Sequence, residues 1–429
     1  MEAPAAATIL PRSEHPIAWR QISPGAQKVL RRLRQAGRNA GLVGGSVRDL
    51  MLQRAPKDYD VVTDARPEDV RRLFRNSRII GRRFRLAHVL FGDEVVEVST
   101  FRGAPDPDHQ RRSPGEFLVT SDNTYGTPRQ DAFRRDFTVN ALLYRASDRA
   151  VVDYVGGLDD LDRGCIRVIG DPNLRFREDP VRMLRACEFA ARLDFEIEDA
   201  TLAAAFEHRR EITKASPHRL IEELIQLLSS GRSAAAFHWM QRSGVLPVAL
   251  PEVDEVQGAG SETAGFSQLA ARLDERVNTG PEPPLAVLLS TLLLPRIVVG
   301  RERLEAAGAG VPRRRLQRLV EDVVADFSTR YALSAARRGR VVRTLETFQR
   351  LCEPNRSRRT THQLVGREAF PPALDVFALL SAATGSGGEA LEYWQGAAAS
   401  APSLVAADTA RRPAQPGRRR RRRRRRRHL

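Results

Sequence analysis

The chain has 429 residues, of which 41% are hydrophobic, and it carries a formal net charge of +17. This length is too great for one compact core, so we expect several globular domains. The excess of basic residues indicates a polyanionic partner, and a nucleic acid fits that charge better than a membrane does.

The cysteines and the apolar segments narrow the class of protein further. Cys165, Cys187 and Cys352 form neither a CxxC pair nor a zinc-ligand spacing, which favours a reduced, cytoplasmic protein over a disulfide scaffold. The apolar run Leu285–Leu294 is too short to cross a bilayer and predicts a buried helix. We therefore expect no membrane span.

A helix is predicted at Gln21–Ala36, with an apolar face formed by Ala26, Val29, Leu30 and Leu33. The first informative stretch follows it and reads GLVGGSVRDLMLQRAPKDYD. Its pattern predicts a strand, a tight turn, a helix, a second turn and a strand. Gly44 and Gly45 allow backbone N–H groups to approach an anion closely. In an extended segment Asp58 and Asp60 point to one face, where they repel each other unless a cation lies between them. Mg²⁺, which also takes phosphate oxygens, suits such a pair.

GGSVRD followed by KDYD resembles the signature of the class II nucleotidyltransferases, which include bacterial poly(A) polymerases and CCA-adding enzymes. The resemblance implies that Asp58 and Asp60 bind Mg²⁺. It also implies that Gly44, Gly45 and Arg48 bind the nucleotide triphosphate. Many members have a third glycine where this chain has a serine, a small residue that we expect to do little harm.

Three strand-like runs after a predicted helix at Pro67–Phe74 indicate a small mixed α/β domain built around a sheet. These runs are Arg78–Ile80, Ala87–Phe91 and Val95–Phe101. Glu97 lies in the last run and is a candidate third carboxylate of the catalytic centre. The alternative is an exposed glutamate on an edge strand.

A second motif, RRDFTVN, resembles the RRDFTxN sequence of the same family. Guanidinium groups bind triphosphate oxygens through paired donors, which assigns Arg134 and Arg135 to the nucleotide. Asn140 can bond a ribose hydroxyl. Asp136 either joins the metal cluster or orients the arginines, so the third catalytic carboxylate is either Asp136 or Glu97.

A predicted helix at Glu178–Leu193 carries charged residues at every third position. Asp179, Arg182 and Arg185 would share one face and present an acceptor followed by donors. The sequence resembles the family motif EDxxRxxR, which implies that this face reads the nucleotide base. A solvated charged face is the alternative. The arginine that usually follows three residues later is Glu188 here.

The rest of the chain is predominantly helical. An amphipathic helix is predicted at His218–Gly231, and further helices are predicted at Arg313–Asp326, Arg337–Leu351 and Phe370–Thr384, of which the first two carry basic faces. These faces either track an RNA backbone or are simply solvated. The terminal run Arg418–Arg427 either binds RNA by counterion release or is an inert charged tail.

The predicted fold class is therefore α+β. A small N-terminal nucleotidyltransferase head, polymerase-β-like and of α/β type, spans residues 1–157. An all-α neck spans 158–250 and a helical body with legs spans 251–395. A basic tail at 396–429 is expected to be disordered, because like charges repel and little can be buried.

The resemblance implies template-independent addition of AMP from ATP to RNA 3′ ends, with two Mg²⁺ ions. The stretch IIGRRFRLAH resembles the poly(A) polymerase branch of the family. One alternative is CCA addition to tRNA by the same site. Another is a catalytically inactive RNA-binding protein, against which the intact pair of aspartates argues.

Overall fold

The computed structural model describes residues 6–81, 85–103, 124–258, 265–306, 312–352 and 358–400. Most of the stretch between Gly103 and Tyr125, part of IIGRRFRLAH and most of the basic tail lie outside these residues. The α+β prediction is confirmed, because the main sheet is built from the first 153 residues and the chain is mostly helical thereafter.

The main sheet of the described residues has eight strands in the order β1-β8-β7-β2-β3-β6-β5-β4. All neighbouring strands are antiparallel except β3 and β6, which run parallel near the centre of the sheet. The strands are β1 (Thr8–Leu10), β2 (Ala40–Val43), β3 (Asp60–Thr63), β4 (Ser77–Ile80), β5 (Leu86–Phe91), β6 (Glu94–Thr100), β7 (Leu143–Arg145) and β8 (Val151–Asp153). A separate parallel pair is formed by β9 (Cys165–Ile166) and β10 (Glu196–Ile197).

The helices of the head and neck surround this sheet and continue its core. They are α1 (Pro24–Gln35), α2 (Gly45–Met51), α3 (Pro67–Leu73), α4 (Pro128–Arg134), α5 (Gly157–Arg163), α6 (Pro172–Glu178), α7 (Val181–Leu193), α8 (Asp199–His208), α9 (Pro217–Leu228), α10 (Ser233–Arg242) and α11 (Leu246–Ala249). The predicted apolar face of α1, namely Ala26, Val29, Leu30 and Leu33, is fully buried against the sheet. Helix α7 packs against α9 and α10 in the neck.

The body continues with α12 (Pro251–Gly258), α13 (Phe266–Thr279), α14 (Leu285–Ala306), α15 (Arg313–Arg330), α16 (Ala335–Leu351), α17 (Arg358–Val365), α18 (Phe370–Thr384) and α19 (Gly388–Ala399). The apolar run at the start of α14 is buried, as predicted. Among the described helices, none combines the length and the apolar character that crossing a membrane requires.

Two predicted boundaries are wrong. The helix predicted from Glu178 is broken, since Glu178 ends α6 and α7 begins only at Val181. Pro180 disfavours helical backbone at the preceding residue, and Asp179 accordingly has φ −150° and ψ 87°. Residue 396, the predicted start of the tail, lies within α19, which extends to Ala399 and whose last alanines pack against the core.

Candidate active site

The turn between β2 and α2 brings the first two motifs together. Gly44 has φ 72° and ψ −146°, a backbone conformation that side-chain-bearing residues rarely adopt. A β-carbon placed on Gly44 would lie 3.4 Å from Asp60 Oδ2 and 3.5 Å from Arg135 Nη1. The hydroxyl of Ser46 donates to the carbonyl of Val43 at 2.9 Å, so the serine at the third glycine position is accommodated within the turn.

Gly44→Ala is expected to weaken ATP binding about tenfold or more, because the new methyl group occupies the space between the carboxylate and the guanidinium. The measurement is the equilibrium affinity for ATP. Gly37→Ala is the matched control, since Gly37 has the same φ of 72° but nothing within 4 Å of an added β-carbon. Thermal unfolding checks that both variants are folded, and equal ATP affinities for the two would contradict the assignment of the turn.

The carboxylates predicted to hold metal lie at the start of β3. Asp60 is the first residue of the strand, whereas Asp58 precedes it and is exposed, so the strand is shorter than the alternation argument assumed. Burial raises the pKa of Asp60 to about 6, and the negative charges of Glu97 and Asp58 add to this effect, while Arg135 opposes it. Asp60 is thus a largely buried carboxylate with two like charges and one opposite charge nearby.

Glu97 lies directly beside Asp60. The two are register partners on the parallel strands β3 and β6. The alternative of an edge-strand glutamate is wrong, because β6 pairs with β3 on one side and with β5 on the other. His88 Nε2 on β5 lies 3.0 Å from Glu97 Oε1, an interaction that the sequence did not indicate.

The donor set at β3 fits Mg²⁺ if phosphate oxygens complete the coordination. In the described part of the chain, no group of three or more metal-ligating side chains occurs. Asp58 and Asp60 nevertheless line the same cavity. Mg²⁺ is commonly held by one or two carboxylates together with substrate phosphates and water, so these two side chains could serve as its protein ligands.

The two arginines of the second motif point to different places. The side chain of Arg135 donates to Asp131 Oδ2 through Nε at 3.1 Å and Nη2 at 2.9 Å, which leaves Nη1 facing Gly44. Arg134 instead donates to the carbonyl of Gly103. Arg135 is therefore the arginine that the structure brings to the glycine turn.

A chain of hydrogen bonds joins the head to the neck. Arg48 Nη1 donates to Asn140 Oδ1 at 2.5 Å, and Asn140 Nδ2 donates to Asp136 Oδ1 at 3.2 Å. Arg185 then donates from Nε to Asp136 Oδ2 at 2.8 Å and from Nη1 to Glu223 Oε1 at 3.0 Å. Arg48 and Asn140, predicted to contact triphosphate and ribose, thus bind each other.

The environment of Asp136 explains its ionisation. Burial acts against the charged form, but the positive charge of Arg185 and hydrogen bonds from Phe137 N, Arg185 and Asn140 outweigh it and lower the pKa of Asp136 to about 2. Both carboxylate oxygens already accept hydrogen bonds. This pattern indicates an orienting role.

The residues predicted to read the base do not converge on one point. Asp179 accepts two hydrogen bonds from Arg219, at 2.7 and 2.8 Å, and Arg182 donates to the carbonyl of Arg175 at 2.9 Å. Arg185 lines the cavity near Asp60, whereas its described lining includes neither Asp179 nor Arg182. Arg219 was missed because the amphipathic pattern of its helix carries no signal for a partner 40 residues away.

The cavity that contains the glycine turn has a volume of about 470 Å³ and extends from both aspartates to helices α7 and α9. Glu188 lies on its neck wall and is buried. Its Oε1 atom is 3.2 Å from Arg192 Nε, so the reversed charge at the family's arginine position is neutralised one helical turn away.

A second cavity of about 230 Å³ meets the first at Asp60 and Arg135. Glu97, Arg102 and Arg134 line this cavity. Two spaces thus open on the same aspartate, one containing the glycine turn and one containing the candidate third carboxylate.

Comparison with known proteins identifies two domains. Residues 40–167 match the family model described as the poly A polymerase head domain. Residues 194–257 match the model described as a probable RNA and SrmB-binding site of polymerase A. The head match includes the glycine turn, the aspartates and RRDFTVN.

Curated relatives with similar sequences include both branches of the family. The chain is 49% identical to poly(A) polymerase I of Escherichia coli O6:H1 over 228 residues, which are 52% of this chain and 49% of the relative. It is 43% identical to poly(A) polymerase I of Salmonella typhimurium over 277 residues, or 63% and 60% of the two chains. The CCA-adding enzyme of Bacillus velezensis is 35% identical over 249 residues, which are 58% of this chain and 61% of the relative. The chain therefore spans about half to three fifths of these relatives.

Solved structures extend the similarity to most of the chain. The CCA-adding enzyme of Bacillus stearothermophilus in complex with CTP has a TM-score of 0.62 and 25% identity, and the match covers 92% of this chain and 90% of that one. Both comparisons agree with the resemblance of the glycine and aspartate motifs. In sequence and in fold, the chain is similar to the nucleotidyltransferases that include the bacterial poly(A) polymerases and the CCA-adding enzymes, and its residues 40–167 match the poly A polymerase head domain.

Proposed function

We propose that the chain adds AMP from ATP to RNA 3′ ends without a template and releases pyrophosphate. The observation that carries this proposal is the meeting of the Gly44 turn, the Asp60 carboxylate and the Arg135 guanidinium within contact distance of one point. A phosphate cradle, a candidate metal ligand and a phosphate-binding cation are the parts that nucleotidyl transfer requires. The similarity to poly(A) polymerases at 43–49% identity supports adenylate as the transferred group.

The residues of the first cavity would hold the nucleotide. The Gly44 turn offers backbone donors to the triphosphate, and Arg135 offers the guanidinium nitrogen that Asp131 leaves unused. Arg48 and Asn140 also line this cavity, and their mutual hydrogen bond holds both side chains in place.

Asp58 and Asp60 would hold Mg²⁺, with the triphosphate completing its coordination. When bound there, Mg²⁺ supplies a Lewis acid that acidifies the RNA 3′-hydroxyl and neutralises charge on the departing pyrophosphate. We assign the third catalytic carboxylate to Glu97, the register neighbour of Asp60. Asp136 is assigned the orienting role, since Arg185 and Asn140 already occupy its oxygens.

Base selection by Asp179 and Arg182 requires a change of partners. Asp179 would exchange Arg219, whose side chain is 36% exposed, for the amine edge of the nucleotide. We propose that the RNA is held by the neck and body, residues 158–395, because the matched RNA-binding region begins at residue 194.

CCA addition to tRNA is the second candidate. Its support is the structural similarity to a CTP-bound CCA-adding enzyme over 92% of this chain. Adenine and cytosine both present an exocyclic amine beside a ring nitrogen, so the same donors and acceptors can serve either base.

The test offers the purified protein an unstructured RNA and a tRNA without its 3′ end, each with ATP, CTP or both, in the presence of Mg²⁺. We expect long adenylate tracts on the unstructured RNA from ATP alone and poor use of CTP. Addition of two C residues and one A to the tRNA, followed by arrest, would establish the second candidate instead. No incorporation from any mixture would indicate an inactive RNA-binding protein.

A further inference from the structure

Three polar residues lie side by side across three neighbouring strands of the head. Asp60 on β3 is the register partner of Glu97 on β6, and Glu97 is the register partner of His88 on β5. Register partners project their side chains on the same face of a sheet. The His88 ring accordingly reaches Glu97, with Nε2 3.0 Å from Oε1.

Two cavities meet at Asp60, and they place the nucleotide cradle and Glu97 on different sides of this aspartate. The Gly44 turn lines the first cavity, and Glu97 lines the second. Transfer needs two substrates at one metal-binding carboxylate, and the glycine turn marks the nucleotide side. The second cavity, which Arg102 and Arg134 also line, is therefore left for the end of the RNA, whose last phosphates suit guanidinium groups.

The carboxylate of Glu97 needs an additional contact to stay in one orientation beside Asp60. Its side chain is 49% exposed, so rotamer freedom and water compete with a single productive orientation. The backbone at His88 is anchored, because its neighbours Ala87 and Val89 are completely buried on the other face of β5. A ring nitrogen on β5, a strand paired on both sides, can therefore restrict the carboxylate at low entropic cost.

We propose that His88 is a positioning residue that holds Glu97 toward the RNA end of the site. This inference rests on the proposed function, because it takes Glu97 as the third catalytic carboxylate. His88 itself touches neither the triphosphate cradle nor Asp58. Its effect should therefore fall on the RNA side of the reaction and leave nucleotide binding intact.

The experiment compares His88→Leu, His88→Gln, Glu97→Gln and the double variant His88→Leu/Glu97→Gln in the full chain. Single-turnover AMP incorporation into a short RNA should fall about tenfold in His88→Leu, the effect of one hydrogen bond to a charged group. His88→Gln, which keeps a donor at the Nε2 position, should stay within about threefold of wild type. The double variant should be no slower than Glu97→Gln alone, because the two residues act as one unit.

Equilibrium ATP affinity, measured without RNA, should be unchanged in every His88 variant. The inference is overturned by a wild-type rate in His88→Leu, by equal losses in the leucine and glutamine variants, by multiplicative effects in the double variant, or by a matching loss of ATP affinity. If thermal unfolding shows that His88→Leu is misfolded, His88→Gln and Glu97→Gln are compared instead. A wild-type rate in Glu97→Gln, a rate in His88→Gln more than about threefold below wild type, or a loss of ATP affinity in His88→Gln would then overturn the inference.

Wild-type protein that incorporates no AMP would contradict the proposed function and not the role of His88. In that case the inference is tested by RNA affinity, which the fluorescence anisotropy of a labelled short RNA measures without turnover. His88→Leu should then bind the RNA about threefold more weakly with unchanged ATP affinity, whereas unchanged RNA affinity would overturn the inference.

Discussion

Asp60→Ala is expected to lower AMP incorporation about a thousandfold or more while RNA binding survives. The variant loses a candidate Mg²⁺ ligand at the point where the glycine turn and Arg135 meet, and metal stabilisation of transition-state charge is worth several kcal/mol. Asp58→Ala should have the same effect. The measurements are incorporation at saturating ATP and Mg²⁺, and anisotropy of a labelled RNA.

Asp64→Ala is the matched control, since Asp64 is an exposed aspartate immediately after the other end of β3. It should retain wild-type incorporation. Near-normal incorporation by the variant at position 58 or 60 would contradict the metal assignment. Asp60→Asn adds an independent check, because removing one of three neighbouring negative charges should raise the unfolding temperature in metal-free buffer even as activity is lost.

Arg185→Met is expected to destabilise the protein by about 3 kcal/mol at pH 7. It leaves the buried carboxylate of Asp136 without its cation and breaks the hydrogen bond to Glu223 on α9, and loss of one partner of a buried ion pair costs this much. Urea unfolding measures the loss. Arg242→Met is the control, since the ion pair of Arg242 with Glu196 is exposed and should be worth less than about 1 kcal/mol.

The pH dependence of this loss follows from the ionisation of Asp136. Its pKa is about 2 in the folded state and 3.8 ordinarily, so ionised Asp136 stabilises the fold above about pH 4, and this stabilisation disappears as the pH falls toward 2. The shift corresponds to about 2 kcal/mol. The difference in unfolding free energy between wild type and Arg185→Met should therefore become smaller as the pH is lowered from 5 to 3. An equal gap at both pH values would contradict this ionisation state.

Local patterns in the sequence determined several features correctly. The buried face of α1 followed from apolar residues at helical spacing, and α18 spans Phe370–Thr384 as predicted. The glycine turn followed from residue types, because a backbone with positive φ beside a strand needs glycine. The family followed from GGSVRD, KDYD and RRDFTVN, which the comparisons confirm.

Side-chain partners that are distant in sequence were decided only by the tertiary structure. The parallel pairing of β3 with β6 places Glu97 beside Asp60, although 37 residues separate them and neither strand encodes that register. The pairing of Asp179 with Arg219 likewise depends on how α9 packs beside α7. Sequence periodicity fixes which face of an element is apolar, because that is a local property. Which charged groups then meet depends on strand register and helix packing, which are properties of the whole chain.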